Sequence, residues 1–154
     1  MKTKTEPQGI GGWLALFILG LIVLSPIAAL NSYNSGVGSA TERYPQLQNN
    51  AQWIAFASGA WWIMAVASVI KVLTGIKLIV DKRKSSVMLA VAALWVSGLG
   101  AVIAQYVLIT SVYPKESGDI IDEQAGAAIA TVITAGIWTA YLLKSKRVKN
   151  TYPG

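Results

Sequence analysis

The sequence predicts an all-α membrane protein, a four-transmembrane-helix bundle with both termini in the cytoplasm. Three observations carry that expectation. The composition is 54% hydrophobic and only 13% charged over 154 residues, far from the balance of a soluble globule. Four uncharged stretches are each long enough to cross lipid, and the basic residues gather in alternate connections. Spanning about 30 Å of hydrocarbon at about 1.5 Å per residue takes roughly 20 residues as a helix. Strands of a membrane barrel would be about 10 residues long and would alternate apolar with polar. Inside lipid each backbone N–H and C=O must be satisfied within its own segment, which leaves helices.

The first helix is expected over about 11–33, inside the uncharged stretch from Pro7 to Thr41. Gly9, Gly11 and Gly12 precede it. They do not follow a strand and lack a Gly-Lys-Ser/Thr ending, so they read as an interfacial turn and not as a phosphate loop. Pro26 should kink this helix or end its regular part, because it has no N–H and its ring crowds the preceding turn. The second helix is expected over about 53–80, the third over about 86–113 and the fourth over about 123–144, within a single domain covering 1–154. Lys2, Lys4, the run Leu14–Leu24 and then Pro26–Ala29 have the outline of a secretory signal. Ile27 fills the place where the best cleavage site prefers a small residue, so the first helix is expected to be retained.

Orientation follows from charge. Of 13 basic residues, 11 fall before the first helix, around the second connection or after the fourth helix. Only Arg43 and Lys115 lie in the first and third connections, with five of the seven acids: Glu42, Glu116, Asp119, Asp122 and Glu123. The positive-inside rule puts the basic segments in the cytoplasm. An even number of spans returns the tail to the side of the head, and both ends are basic. Trp13 and Tyr141 fall near the inner interface, and Tyr33, Trp53, Tyr106 and Tyr113 near the outer one, as aromatic belts do. Trp61, Trp62 and Trp95 lie deeper and read as packing bulk.

Helices in lipid associate through close packing and interhelical hydrogen bonds. Small residues recur at intervals of four on the third helix (Ala93, Ser97, Ala101) and on the fourth (Gly126, Ala130, Thr134, beside Ala127, Thr131, Ala135). These stripes are expected to build the bundle, with a homodimer seam as the other use.

The composition also excludes. No cysteine and no histidine removes disulfides, thiolate chemistry, the usual general base and the commonest metal ligand, so no cofactor and no metal is expected. The formal charge of +6 is distributed as topology anchors and implies no nucleic-acid partner. No carboxylate lies inside a span, which disfavours proton-coupled cation export. Asp119, Asp122 and Glu123 read as dipole-complementing acids at a helix start, and Lys144–Lys149 as a topology anchor able to meet anionic lipids at the cytoplasmic face.

Two sets of residues remain as candidates. Lys71, six residues before Lys77, is either a snorkelling cation or an intramembrane contact for a ligand. Asn31, Ser58, Gln105 and Thr131 sit at comparable depth on four helices and are candidates for an outward-facing polar pocket. A lysine–serine dyad is the sole nucleophile arrangement left, and the sequence pairs Lys71 with no particular serine.

The ends of the chain carry a resemblance. Gly11-Gly12-Trp13-Leu14 opens the first helix, and Ile137-Trp138, Tyr141 and then Lys144-Ser145-Lys146-Arg147-Val148-Lys149-Asn150-Thr151-Tyr152 close the chain. Together with four spans over the whole length, these motifs resemble the bacterial YdgK-like inner-membrane family, domain of unknown function 2569. Members of that family often carry Phe where Tyr152 stands. The resemblance implies a bacterial inner membrane and a retained first span, and supplies no catalytic residue, ligand or partner. The expectation is therefore a non-enzymatic accessory or interaction protein working through a membrane-protein partner or as a homo-oligomer. The alternative is a small oligomeric transporter or channel.

Overall fold

The computed structural model describes residues 7–115 and 117–154, and the side chains of all of these except 117–124. Four helices are long and apolar enough to cross a membrane: Trp13–Arg43, Ala51–Val80, Lys84–Val112 and Ala125–Lys144, the last being part of a helix over Ser117–Lys144. A short helix, Lys146–Thr151, follows the fourth span. The described residues contain no strand.

The first span continues to Arg43, well past the expected end at Tyr33. None of the residues directly after Tyr33 is proline, and the backbone carries on through a π-helical turn at Asn34–Gly38. Pro45 is the real stop. It forces Tyr44 out of the helical region, to φ −128° and ψ 80°. At Pro26 the expected strain is absorbed by a second π turn, Gly20–Leu24, directly before the helix Ser25–Tyr33. The wider turn leaves room for a ring whose own N–H is missing. A third π turn, Val96–Gly100, interrupts the third span.

The second span starts where the Asn50 side chain accepts the Trp53 N–H at 3.0 Å, a helix cap. It ends at Asp81, whose carboxylate meets Lys77 at 3.1 Å and Arg83 at 3.7 Å. The hydrogen bond from Lys77 holds the Asp81 carboxyl below the usual carboxylate range. The third span ends before Tyr113 and Pro114.

The second span is the backbone of the bundle, packing on the first and the third, while the fourth packs on the third. Two glycines allow the close approaches. A Cβ at Gly75 would lie 2.5 Å from Ile22 Cγ1, and one at Gly59 would lie 2.6 Å from Leu108 Cδ1. On the third span Ala93 and Ser97 are buried and Ala101 is half-buried, so that stripe faces the bundle. On the fourth span the two stripes part. Ala135 is buried and Thr131 packs at Gly98, but Gly126, Ala130 and Thr134 are exposed and build no part of this bundle.

Most of the buried core lies at the end that carries the two termini and the second connection. Leu14, Phe17, Ile18, Leu21, Leu78, Val87, Ala90, Leu142, Val148 and Tyr152 form one cluster there. Phe17 and Trp138 rings, 4.8 Å apart, close the first span onto the fourth. Across this end the termini clasp each other. Positive φ at Gly9 and Gly12 turns the incoming chain. The Gly9 N–H then donates to Thr151 Oγ1 at 2.9 Å, and Gln8 Nε2 donates to the Asn150 carbonyl at 3.2 Å. The Tyr152 hydroxyl donates to the Leu78 carbonyl at 2.7 Å, with the Lys82 ammonium 5.4 Å from its ring centre. Burial pushes the Tyr152 phenol up to about 12 and lowers Lys82. The core thins towards the opposite end, where Ala60 and Ile109 are the buried hydrophobics of the second and third spans.

A cavity between the first three spans

The thin end encloses a cavity of about 850 Å³. Its walls come from the first, second and third spans, and no described residue of the fourth span lines it. Trp53 and Lys71, both lining it, stand 18 positions apart on one helix, about 27 Å at ~1.5 Å per residue. Ser32 and Gly36 are lining residues that are also exposed, so the cavity opens past them.

Aromatic residues frame the end distant from the termini. The Tyr33 hydroxyl donates to the Ala57 carbonyl at 3.2 Å, tying the first span to the second. Trp53 Nε1 donates to Thr41 Oγ1 at 3.0 Å, a second tie between the same spans. Phe56 stands between Trp53 and Tyr113, with ring centres 5.7 Å and 5.9 Å away. Further in, the walls are Ala60, Ile63, Met64, Ala67 and Ala101, with Ser68, Ser97 and Gln105 as the polar positions. All three π turns bear on this space: Gly36, Val37 and Ser97 line it, and the turn Gly20–Leu24 ends at Ser25, the partner of Lys71. Such turns widen the helix and recur at functional sites.

Lys71 is the one charged side chain among the described lining residues. Its ammonium donates to Ser25 Oγ at 2.8 Å. The direction follows from helix geometry, because long side chains lean towards the N-terminus of their own helix. On the second span that direction is away from the nearby end at Val80 and into the bundle. The Lys71 ammonium is held by Ser25 of the first span. No ion pair to Lys71 forms among the described residues.

Lysine beside serine has the makings of a nucleophile and its base. Acyl transfer also needs donors for the developing oxyanion, usually backbone N–H groups next to the nucleophile. The Ser25 N–H is engaged by the Gly20 carbonyl, and the next residue, Pro26, has none. The local backbone thus supplies no oxyanion donor.

Of the four polar residues read as a pocket, Gln105 lines the cavity and the other three do not. Asn31 and Ser58 are exposed on the outside of the bundle, and the Thr131 hydroxyl returns to the Ala127 carbonyl at 2.8 Å. Gly59, next to Ser58, lies against Leu108, whereas Thr131 lies against Gly98, ten positions from Leu108 on the third span, so Ser58 and Thr131 are not level. Tyr33, Ser68 and Ser97 line the cavity instead. Ser68 lies three residues before Lys71, the spacing that puts two side chains on one helical face, and that was the available signal. The acids at 116, 119, 122 and 123 lie outside the described residues or side chains.

Four helices long and apolar enough to cross a membrane define a multi-pass membrane protein. The chain belongs to the family described as protein of unknown function (DUF2569), whose model matches residues 7–153. No curated protein and no solved structure matches it. The two end motifs that carried the resemblance are the two halves of the clasp: Gly11 lies against Arg147, where a Cβ would come within 2.8 Å of Nη1.

Proposed function

We propose that this is a non-enzymatic bacterial inner-membrane protein that receives a small molecule in the cavity between its first three spans, as a binding or transport component. The cavity carries the reading. Its volume of about 850 Å³ lies within the range of small-ligand sites, roughly 300–1,000 Å³, and its wall is mainly apolar with a few placed polar groups. With both termini cytoplasmic, as the basic residues argue, the cavity opens to the outside. The absent histidine and cysteine, and the lack of an oxyanion donor at Ser25, support a role without catalysis.

The chain has no cysteine, so each introduced thiol is unique. Cysteines at Gln105 and Ser68 should react with a small, impermeant, water-soluble reagent far faster than one at Leu19, which is 47% exposed on the lipid side. Equal, slow labelling at all three positions in a folded protein would remove the pocket reading.

A second reading, an accessory subunit or homo-oligomer, draws on the outward stripe of Gly126, Ala130 and Thr134, which suits close approach by another helix. Pull-down from native membranes in mild detergent with a mass measurement tests it, and an isolated monomer would count against it. Anionic lipids are proposed partners of the exposed Lys144, Lys146 and Lys149.

A further inference from the structure

We infer that the cavity takes an elongated, largely apolar molecule ending in a single carboxylate, with the carboxylate seated at Lys71 and Ser25. This rests on the pocket reading above and adds the class of ligand.

The first argument is charge. Lys71 lines the cavity with its ammonium held at Ser25 on the cavity's margin, and no described acid pairs with it. A lone ammonium in a membrane interior is expensive unless an anion accompanies it. Glu42, next to last in the first span, does not line the cavity, so the counter-charge is left to the ligand.

The second argument is hydrogen bonding. Thr74, Ser97 and Thr131 return their hydroxyls to the carbonyl four residues earlier. Ser25 differs: its oxygen accepts from Lys71, and its own O–H donates to no described group. An ammonium has three donors and no acceptor, and one of the three is used on Ser25. The pair therefore offers two ammonium N–H groups and the Ser25 O–H, three donors against one remaining serine lone pair. An acceptor-only, singly charged group such as a carboxylate matches it. A phosphate monoester brings up to about two negative charges and would leave one uncompensated against a single lysine.

The third argument is shape. From Lys71 the lining runs through Ala67, Met64, Ile63 and Ala60 to the aromatic frame at Phe56 and Trp53. A compact anion such as acetate would leave that wall empty, whereas a long hydrocarbon chain covers it and gains by burial.

The test uses the full chain in nanodiscs of zwitterionic phosphatidylcholine, with a photoreactive long-chain carboxylate bearing a diazirine on its chain. Crosslinks should map to cavity residues such as Met64 and Ala67. Palmitate should compete at least about tenfold better than hexadecanol, since hydrogen bonds to charged groups are worth that much. Acetate should compete poorly. Lys71→Met should abolish the preference for acid over alcohol, and Lys71→Arg should keep it. Should Lys71→Met fail to fold by circular dichroism and gel filtration, the acid-to-alcohol ratio on the unmodified protein decides alone. Equal competition by palmitate and hexadecanol overturns the carboxylate site while leaving the pocket standing. No crosslink to any cavity residue, by acid or by an alcohol probe of the same length, overturns both.

Discussion

Thr151 Oγ1 accepts the Gly9 N–H at 2.9 Å across 142 positions of sequence, and the same hydroxyl donates to the Arg147 carbonyl at 2.7 Å. One buried side chain thus fastens the beginning of the chain to its end. Thr151→Ala removes a buried methyl and leaves the half-buried Gly9 N–H without its acceptor, and together these should cost about 1–3 kcal/mol. Tyr152→Phe removes a donor from a carbonyl that Lys82 Nζ also reaches at 3.1 Å, so about 1 kcal/mol or less is expected. Thermal unfolding in a maltoside detergent should rank Thr151→Ala below Tyr152→Phe. The reverse order would mean that the clasp hangs on the tyrosine.

Helix approach gives a sharper contrast. Gly75→Leu must push a side chain into Ile22 and Leu21, and should destabilise by about 1–3 kcal/mol. Ala130→Leu adds the same kind of bulk to an exposed position and should leave a monomer's unfolding temperature unchanged. If Ala130→Leu unfolds first, the fourth span is held by contacts outside this chain.

What could be read from the sequence follows from what a membrane imposes. The number of long apolar helices was legible because lipid demands long uncharged segments, and that demand is written in composition. The end of the first span was not legible, because the apolar run stops at Tyr33 while the helix carries on through the polar and glycine-rich π turn Asn34–Gly38. Nor was the site. Asn31 and Gln105 have the same chemistry at similar depth, but rotation of a helix about its axis decides which one faces the cavity. That rotation is fixed by contacts such as Gly75 on Ile22 and Gly59 on Leu108, between residues far apart in sequence. Lys71 was found by its charge alone, and its partner Ser25 only by the fold.

Alkaline pH should loosen the clasp in a defined window. Burial raises the Tyr152 phenol from 10.0 to about 12, so the folded state holds its proton where the unfolded chain has lost it. That stabilisation is fully present below pH 10.0 and is lost as pH rises towards about 12. Lys82, lowered by burial, acts in the opposite sense, since its charging cost falls away as pH rises through its folded value. The shift in unfolding temperature between pH 9.5 and 11.5 should therefore be larger for the unmodified protein than for Tyr152→Phe. Identical pH profiles would place the alkaline sensitivity elsewhere.

Filling the cavity should separate stability from access. Ala67 is a half-buried lining residue, and Ala67→Leu puts carbon into empty space. The unfolding temperature should hold or rise, because added apolar contact replaces a void. Labelling of a cysteine at Ser68 or Gln105 should fall at the same time. A drop in stability with labelling unchanged would mean that the alanine was packed and the opening lies on another side.

The sidedness of the cavity rests on charge and can be tested directly. Ser39 lies near the end of the first span, two residues before Thr41, the partner of Trp53, and Ser85 lies at the start of the third span at the end of the clasp. Both side chains are exposed, so cysteine at either place disturbs little. Ser39 Oγ makes a single 3.3 Å hydrogen bond to the Asn34 carbonyl, and its loss is minor on an exposed site. The basic residues Lys82, Arg83 and Lys84 flank Ser85, whereas Ser39 is followed by Glu42 and Arg43, which cancel. The positive-inside rule then puts Ser85 in the cytoplasm and Ser39 outside. In intact cells an impermeant maleimide should modify Ser39→Cys and leave Ser85→Cys untouched until the membrane is permeabilised. Modification of Ser85→Cys alone in intact cells would invert the protein, and the cavity would then be loaded from the cytoplasm.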